Sequence, residues 1–189
     1  VIVTDGRIRL AEAGEASGFE SVEVDGLVVS PGFIDTHAHA DVEPYLEDEQ
    51  VHAARIVQGV TTEIVGNCGF SPFLTSGQDE LLGSFLSVVF GPQASTFEEF
   101  DGYREGVEAK GLASNVAPLV GHGTLRAGTL GYENRHATPA EIELMRERLE
   151  RALTAGAFGM STGLCYTPAT YAPPAEGRAL AEVFARVGG

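Results

Sequence analysis

The feature that most constrains this chain is an alternation. Four times over, a short β-prone run is followed, across Gly or Pro punctuation, by a stretch with helical spacing. Residues 27–39 are β-rich up to Ser30, turn at Pro31-Gly32 and continue as Phe33-Ile34-Asp35-Thr36-His37-Ala38-His39. Residues 47–58 carry Val51, Ala54 and Ile56-Val57 on one helical side and stop at Gly59; residues 60–65 form a second strand. Residues 114–120 and 157–162 read as the third and fourth strands. Thr96-Phe97-Glu98-Glu99 and Thr138-Pro139-Ala140-Glu141 both have the form of a capping box, in which a hydroxyl and a carboxylate satisfy the free N–H groups of a first helical turn. Phe97, Phe100, Tyr103 and Val107 mark the buried stripe behind the first box; Ile142, Met145, Leu149 and Ala152-Leu153 mark it behind the second. Residues 175–187 read as a last helix, stopped by Gly188-Gly189.

Strands separated by helices pair in parallel, because a parallel crossover needs a dozen or more residues. The pattern therefore predicts an α/β fold. It is either an open doubly wound sheet or the first four βα units of a (β/α)8 TIM-type barrel, and the alternation alone does not choose. Ahead of it, residues 1–3, 7–10 and 21–24 predict a small antiparallel sheet. The expected organisation is part of a small β domain over 1–29 and half of a barrel over 30–189. The chain starts without an initiator Met and stops where another element would normally begin, so both ends read as cut from a longer protein.

Composition excludes several classes of function. With 12 basic and 27 acidic residues the formal charge is −15, which repels phosphate backbones and anionic membranes. Nucleic acid and membrane are not expected partners. Two cysteines, Cys68 and Cys165, rule out a disulfide scaffold, and a bridge between them is not expected in a reducing compartment. No basic segment followed by an apolar one marks a signal peptide, and a cytoplasmic location is expected. Residues 70–94 form a long irregular insertion, whose apolar run at 81–90 is interrupted and far too short to span a bilayer.

The chemistry gathers at strand ends. His37 and His39 are two apart, so their imidazoles leave the strand on the same side, as does Asp35. Two neutral imidazoles from one strand make a bidentate metal site; the plainer reading is a polar strand end with two satisfied histidines. Asp35 either orients an imidazole or caps a turn. Cys68 follows the second strand in Gly66-Asn67-Cys68-Gly69, where glycines allow a sharp turn. In parallel α/β proteins the active site lies at the C-terminal ends of the strands, where His37, His39 and Cys68 all fall. A thiolate beside imidazoles suits Zn2+ better than the oxygen-seeking Mg2+ or Ca2+. A cysteine taken alone is more often a small buried hydrophobe. His122, after the third strand, binds substrate or holds a loop; Arg126 pairs with a substrate carboxylate or with an acidic side chain. Tyr166, after the fourth strand, donates a hydrogen bond to substrate or forms a wall. His52 and His136 read as surface residues. No phosphate-cradling glycine motif is present.

These residues carry a resemblance. Pro31-Gly32-Phe33-Ile34-Asp35-Thr36-His37-Ala38-His39 resembles the first-strand signature of the amidohydrolase superfamily. Residues 66–72 (GNCGFSP), 120–126 (VGHGTLR) and 159–166 (GMSTGLCY) are similar to the N-acyl-D-amino-acid deacylases, the D-aminoacylases, and the match runs from about Pro31 to Tyr171. The resemblance implies a (β/α)8 barrel beside a small β domain. It also implies zinc-dependent hydrolysis of an N-acyl-D-amino acid to a carboxylate and a free D-amino acid. His37 and His39 match the first-strand ligands, Cys68 the cysteine ligand, and Tyr166 a tyrosine that contacts the substrate carboxylate. Cys165 stands where the family lines its side-chain pocket, so specificity does not carry over. The family's two later histidine ligands and the aspartate expected as general base match nothing in these 189 residues.

The catalytic residues proper are therefore not assigned. Three donors need not all reach one ion, so weak or no metal binding and no turnover are expected of this stretch alone. Its open strand edges predict marginal stability or self-association. The alternatives are an amidohydrolase acting on cyclic amides, of the dihydroorotase or hydantoinase kind, and a truncated fragment without function. The first would place a lysine near the fourth strand, where none lies. An open-sheet binding module would leave His37, His39 and Cys68 too far apart to share an ion.

Overall fold

The computed structural model describes residues 1–12, 14–15, 17–43, 49–75, 87 and 95–187. They fall into two compact units, Val1–Pro31 and Gly32–Gly189.

In the first unit, β1 (Ile2–Thr4) and β2 (Arg7–Arg9) pair antiparallel, with Ile2 opposite Arg9 and Thr4 opposite Arg7. The connection is Asp5-Gly6, both at positive φ (50° and 69°), the dipeptide that hairpin turns of this handedness favour. The strand predicted at 21–24 does not form, and neither does the β-rich stretch at 27–30. Val22 and Val28 are 79% and 94% exposed, so no apolar face rewards adding a third strand to the hairpin.

The second unit runs β3 (Phe33–Asp35), α1 (Glu49–Ile56), β4 (Val60–Val65), α2 (Phe100–Lys110), β5 (Asn115–Gly121), α3 (His122–Leu130), α4 (Pro139–Thr154), β6 (Gly159–Ser161) and α5 (Pro174–Val187). The four strands pair in parallel in the order β3-β4-β5-β6. A doubly wound sheet reverses its strand order at a switch point. Here each strand is added beside its predecessor on the same side, which is how a (β/α)8 barrel is built. The described strands are four of its staves, and all four end at one rim.

Helices α2 to α5 pack against one face of the sheet at β5 and β6. Val120 of β5 packs in a core with Phe100, Tyr103 and Val107 of α2, Leu125 of α3, Met145 and Leu149 of α4, and Leu180 and Val183 of α5. Thr138 forms the predicted capping box: its hydroxyl accepts from Glu141 N, while the Glu141 carboxylate accepts from Thr138 N. The box expected at Thr96 does not form. Phe97 N donates to Pro72 O and Phe97 O accepts from Thr75 N, so this backbone is committed to a parallel bridge with Phe73. α2 accordingly begins at Phe100, with Glu99 at its N-cap and no side-chain cap. Phe100, Tyr103 and Val107 are buried as expected, and Phe97 packs edge-on against Tyr103 from outside the helix. The apolar run at 81–90 lies outside the described residues apart from Ser87. No described helix is long and apolar enough to cross a membrane.

Candidate metal centre

β3 ends at Asp35, but its pairing with β4 continues, because Ala38 N donates to Ile64 O at 3.0 Å. Ala38 and Ala40 are buried with Val65, and partly buried Val116 packs against them. Period-two alternation then throws His37 and His39 to the opposite side. Their ring centroids lie 5.6 Å apart with planes at 71°. Asp35 Oδ1 accepts from His37 N at 3.0 Å, so of its two readings the turn cap is the one observed.

Cys68 arrives from the end of β4 on a sharp turn. Gly66 is left-handed (φ 77°), and a Cβ there would fall 2.1 Å from Leu119 O, a space only glycine fits. Asn67–Gly69 makes one 3-10 turn, with Cys68 itself at φ 58°, ψ 19°. Asn67 Nδ2 donates to Ala38 O (3.1 Å) and Ile64 O (2.8 Å), pinning this turn beside the two histidines. Cys68 Sγ lies 3.3 Å from His37 Nε2. One donor atom each from His37, His39 and Cys68 lies within 4.8 Å of the others, and no other such group of three exists among the described residues.

The donor set fits a zinc-like ion. Bonds of about 2.0–2.1 Å to nitrogen and 2.3 Å to sulfur, arranged tetrahedrally, separate the donors by roughly 3.3–3.6 Å. The observed separations reach up to 4.8 Å, so the three donors must draw together to share an ion. Burial, and next the charge of His37, lower the pKa of His39, which favours the neutral imidazole a metal requires.

Tyr166 stands at the same rim. Its ring packs edge-on to Phe70 at 5.6 Å and it is 42% exposed. The charges of Cys165 and Cys68 push its phenol above the ordinary value. Both cysteines are free. His122 and Arg126 are buried and share Glu176: His122 Nε2 is 2.9 Å from Glu176 Oε1, and Arg126 pairs with Oε2. Of their two readings the internal one is observed. His136 is exposed; the side chain of His52 lies outside the described residues.

Four residues escaped the sequence reading. Asn67 ties the cysteine turn to its neighbours, and Glu176 receives His122 and Arg126. Asp41 is fully buried and pushed up to about 7 by that burial, against the pull of the Asp41 and Gly66 backbone N–H groups. Ser161 bonds to both ends of the cysteine turn. Asn67 and Ser161 left a trace, as polar side chains at strand ends inside stretches already singled out; Asp41 and Glu176 left none.

The chain belongs to the amidohydrolase family, whose signature matches residues 20–189. Among its relatives, an N-acyl-D-aspartate deacylase of Alcaligenes xylosoxydans xylosoxydans is 39% identical over 175 residues, covering 92% of this chain and 34% of that protein. A D-aminoacylase of the same organism is 38% identical over 169 residues, covering 88% and 34%. The crystal structure of N-acyl-D-glutamate deacylase from Bordetella bronchiseptica, complexed with zinc and a phosphonate mimic of the tetrahedral intermediate, matches with a TM-score of 0.72 at 36% identity. That match covers 82% of this chain and 32% of the other. The resemblance to D-aminoacylases is thus borne out, and the chain spans about a third of the length of these relatives.

Proposed function

We propose that this chain carries the first-half active-site residues of a zinc-dependent hydrolase that cleaves N-acyl-D-amino acids. In this reading His37, His39 and Cys68 hold the ion and Tyr166 contacts the substrate carboxylate. The observation that carries it is the approach of two imidazoles and one sulfur to within 4.8 Å at the rim of a parallel sheet, in a chain of this family.

When bound, zinc supplies Lewis acidity toward the amide carbonyl and toward water. The reaction adds water across the C–N bond: the acyl carbon gains OH and the leaving nitrogen gains H. The role of this chain's residues is placement. His37 and His39 offer neutral nitrogens from one strand end, Cys68 a thiolate from the next, and Tyr166 a phenolic O–H from the fourth. The base that moves the proton is not assigned to any of these 189 residues.

Support for the substrate class comes from the relatives, which are named for N-acyl-D-aspartate, N-acyl-D-glutamate and D-aminoacylase activities. The same reading takes residues 1–29 as part of a small β domain and 30–189 as half of the barrel. It places the protein in the cytoplasm, with a small molecule as its partner. It also leaves β3 and β6 as open edges through which copies of this chain self-associate.

The test is release of free amino acid from N-acetyl-D-methionine, N-acetyl-D-aspartate and N-acetyl-D-glutamate, with the L-isomers as controls. It uses the protein expressed from its complete reading frame and, separately, these 189 residues. D-specific release by the former and none by the latter is expected. Hydrolysis of dihydroorotate or hydantoin instead of the linear amides overturns the reading in favour of cyclic-amide chemistry.

A further inference from the structure

We infer that Ser161 is a positioning residue for the metal centre: its hydroxyl clamps the Gly66–Gly69 turn and thereby holds the Cys68 sulfur against His37. This rests on the ligand reading above. A serine hydroxyl carries one donor and two acceptor positions. Here the donor goes to Gly66 O, and one acceptor position takes Gly69 N at 2.9 Å. The two groups bracket Cys68. One hydroxyl therefore joins the entry and the exit of the turn that carries the sulfur, from a strand more than ninety positions further along the chain.

The turn needs such a clamp. Cys68 sits at φ 58°, a conformation that costs a residue with a Cβ and persists only where its surroundings impose it. Asn67 holds the turn from the β3 and β4 side, through Ala38 O and Ile64 O. From the β6 side the side-chain hold among the described residues is Ser161. Without the hydroxyl, Cys68 is free to return to negative φ, which rotates Cα–Cβ and swings the sulfur away from its 3.3 Å contact with His37 Nε2. Ser161 touches neither the donors nor Tyr166 through its hydroxyl, so it acts through the backbone.

The test uses the complete protein as wild type, Ser161→Ala and Ser161→Thr. In metal-free protein, alkylation of Cys68 by iodoacetamide is read peptide by peptide by mass spectrometry. The expected result is labelling about 5-fold or more faster in Ser161→Ala, with Ser161→Thr near wild type because it keeps the hydroxyl. With Co2+ as probe, the thiolate-to-cobalt charge-transfer absorption is expected in wild type. In Ser161→Ala it should require roughly 10-fold more metal, the lower end of what an outer support of a ligand contributes. Should Ser161→Ala fail to fold, hydrogen exchange in wild type decides: the Gly69 N–H is expected about 100-fold slower than its unprotected rate. Labelling unchanged within 2-fold in Ser161→Ala, or unprotected exchange at Gly69, overturns the clamp. Absence of the cobalt–thiolate absorption in wild type itself overturns the ligand reading instead, while a labelling difference between wild type and Ser161→Ala would still uphold the clamp.

Discussion

Arg126 of α3 and Glu176 of α5 form an ion pair in which neither side chain reaches solvent. The second oxygen of Glu176 meets His122 Nε2 at 2.9 Å. A histidine at the rim of the sheet is thereby spent on joining two helices. Removing one partner of such a pair leaves the other charge buried without compensation, which costs about 3–5 kcal/mol. Glu176→Ala is expected to lower the unfolding free energy by that amount in urea titrations. A loss under about 1 kcal/mol would mean that the pair is not formed.

The same carboxylate gives the protein a signature in acid. Burial alone raises the Glu176 pKa, but the hydrogen bonds and charges of His122 and Arg126 outweigh it and hold the group below its ordinary value. A carboxylate depressed on folding contributes stability that is fully present above its unfolded value, roughly 4.3, and that is lost as the pH falls through its folded value. Stability is therefore expected to fall on acidification below about pH 4.5, and to fall less steeply in Glu176→Gln. Parallel slopes for the two proteins would contradict this.

The two capping boxes show how far local sequence reaches. Thr96 and Thr138 stand in the same motif, yet only Thr138 caps a helix, because Phe97 is engaged with Pro72 and Thr75 of a distant segment. Thr138→Ala is expected to cost about 1 kcal/mol. Thr96→Ala should stay within about 0.5 kcal/mol. Equal losses in thermal unfolding would show that both boxes form.

The site was legible in a similar way. His37 and His39 follow from a period of two, and the parallel pattern puts Cys68 at their rim. Val60–Val65 matches its expected limits, since buried Val65 and Glu63 alternate with partly exposed neighbours. The supports were hidden because they are long-range. Asn67 reaches back to Ala38, Ser161 reaches Gly66, and Glu176 reaches His122, and none of these pairs falls within a helical turn or a hairpin. Strand order, which separates a barrel from a doubly wound sheet, is likewise a matter of pairing that no local pattern encodes.

If His37, His39 and Cys68 act as one site, zinc must stabilise the fold through all three. A ligand that binds only the folded state adds about 2.7 kcal/mol at 100 times its Kd. That gain is expected in wild type on adding zinc, with reversal by a chelator. His37→Ala, His39→Ala and Cys68→Ala should each weaken binding by more than ~100-fold, beyond what loss of an outer partner costs. A zinc-dependent shift in melting temperature that survives Cys68→Ala would remove the sulfur from the ligand set.

Gly163 offers the sharpest steric test, because it lies where the cysteine turn and the Tyr166 loop meet. A Cβ at Gly163 would fall 2.0 Å from Cys68 O and 2.8 Å from Tyr166 Cδ2. Backbone on one side and a packed ring on the other leave little to yield, so Gly163→Ala is expected to cost at least the roughly 1–3 kcal/mol of an overpacked interior. It should also displace the sulfur and the phenol together, weakening zinc binding along with stability. Gly177, inside α5, has no atom within 4 Å of its added Cβ. Gly177→Ala is therefore expected to gain about 0.5–1 kcal/mol from helix propensity alone and to leave zinc affinity unchanged. Melting curves with and without zinc separate the two, and a Gly163→Ala protein as stable and as zinc-responsive as wild type would show that the two loops do not touch.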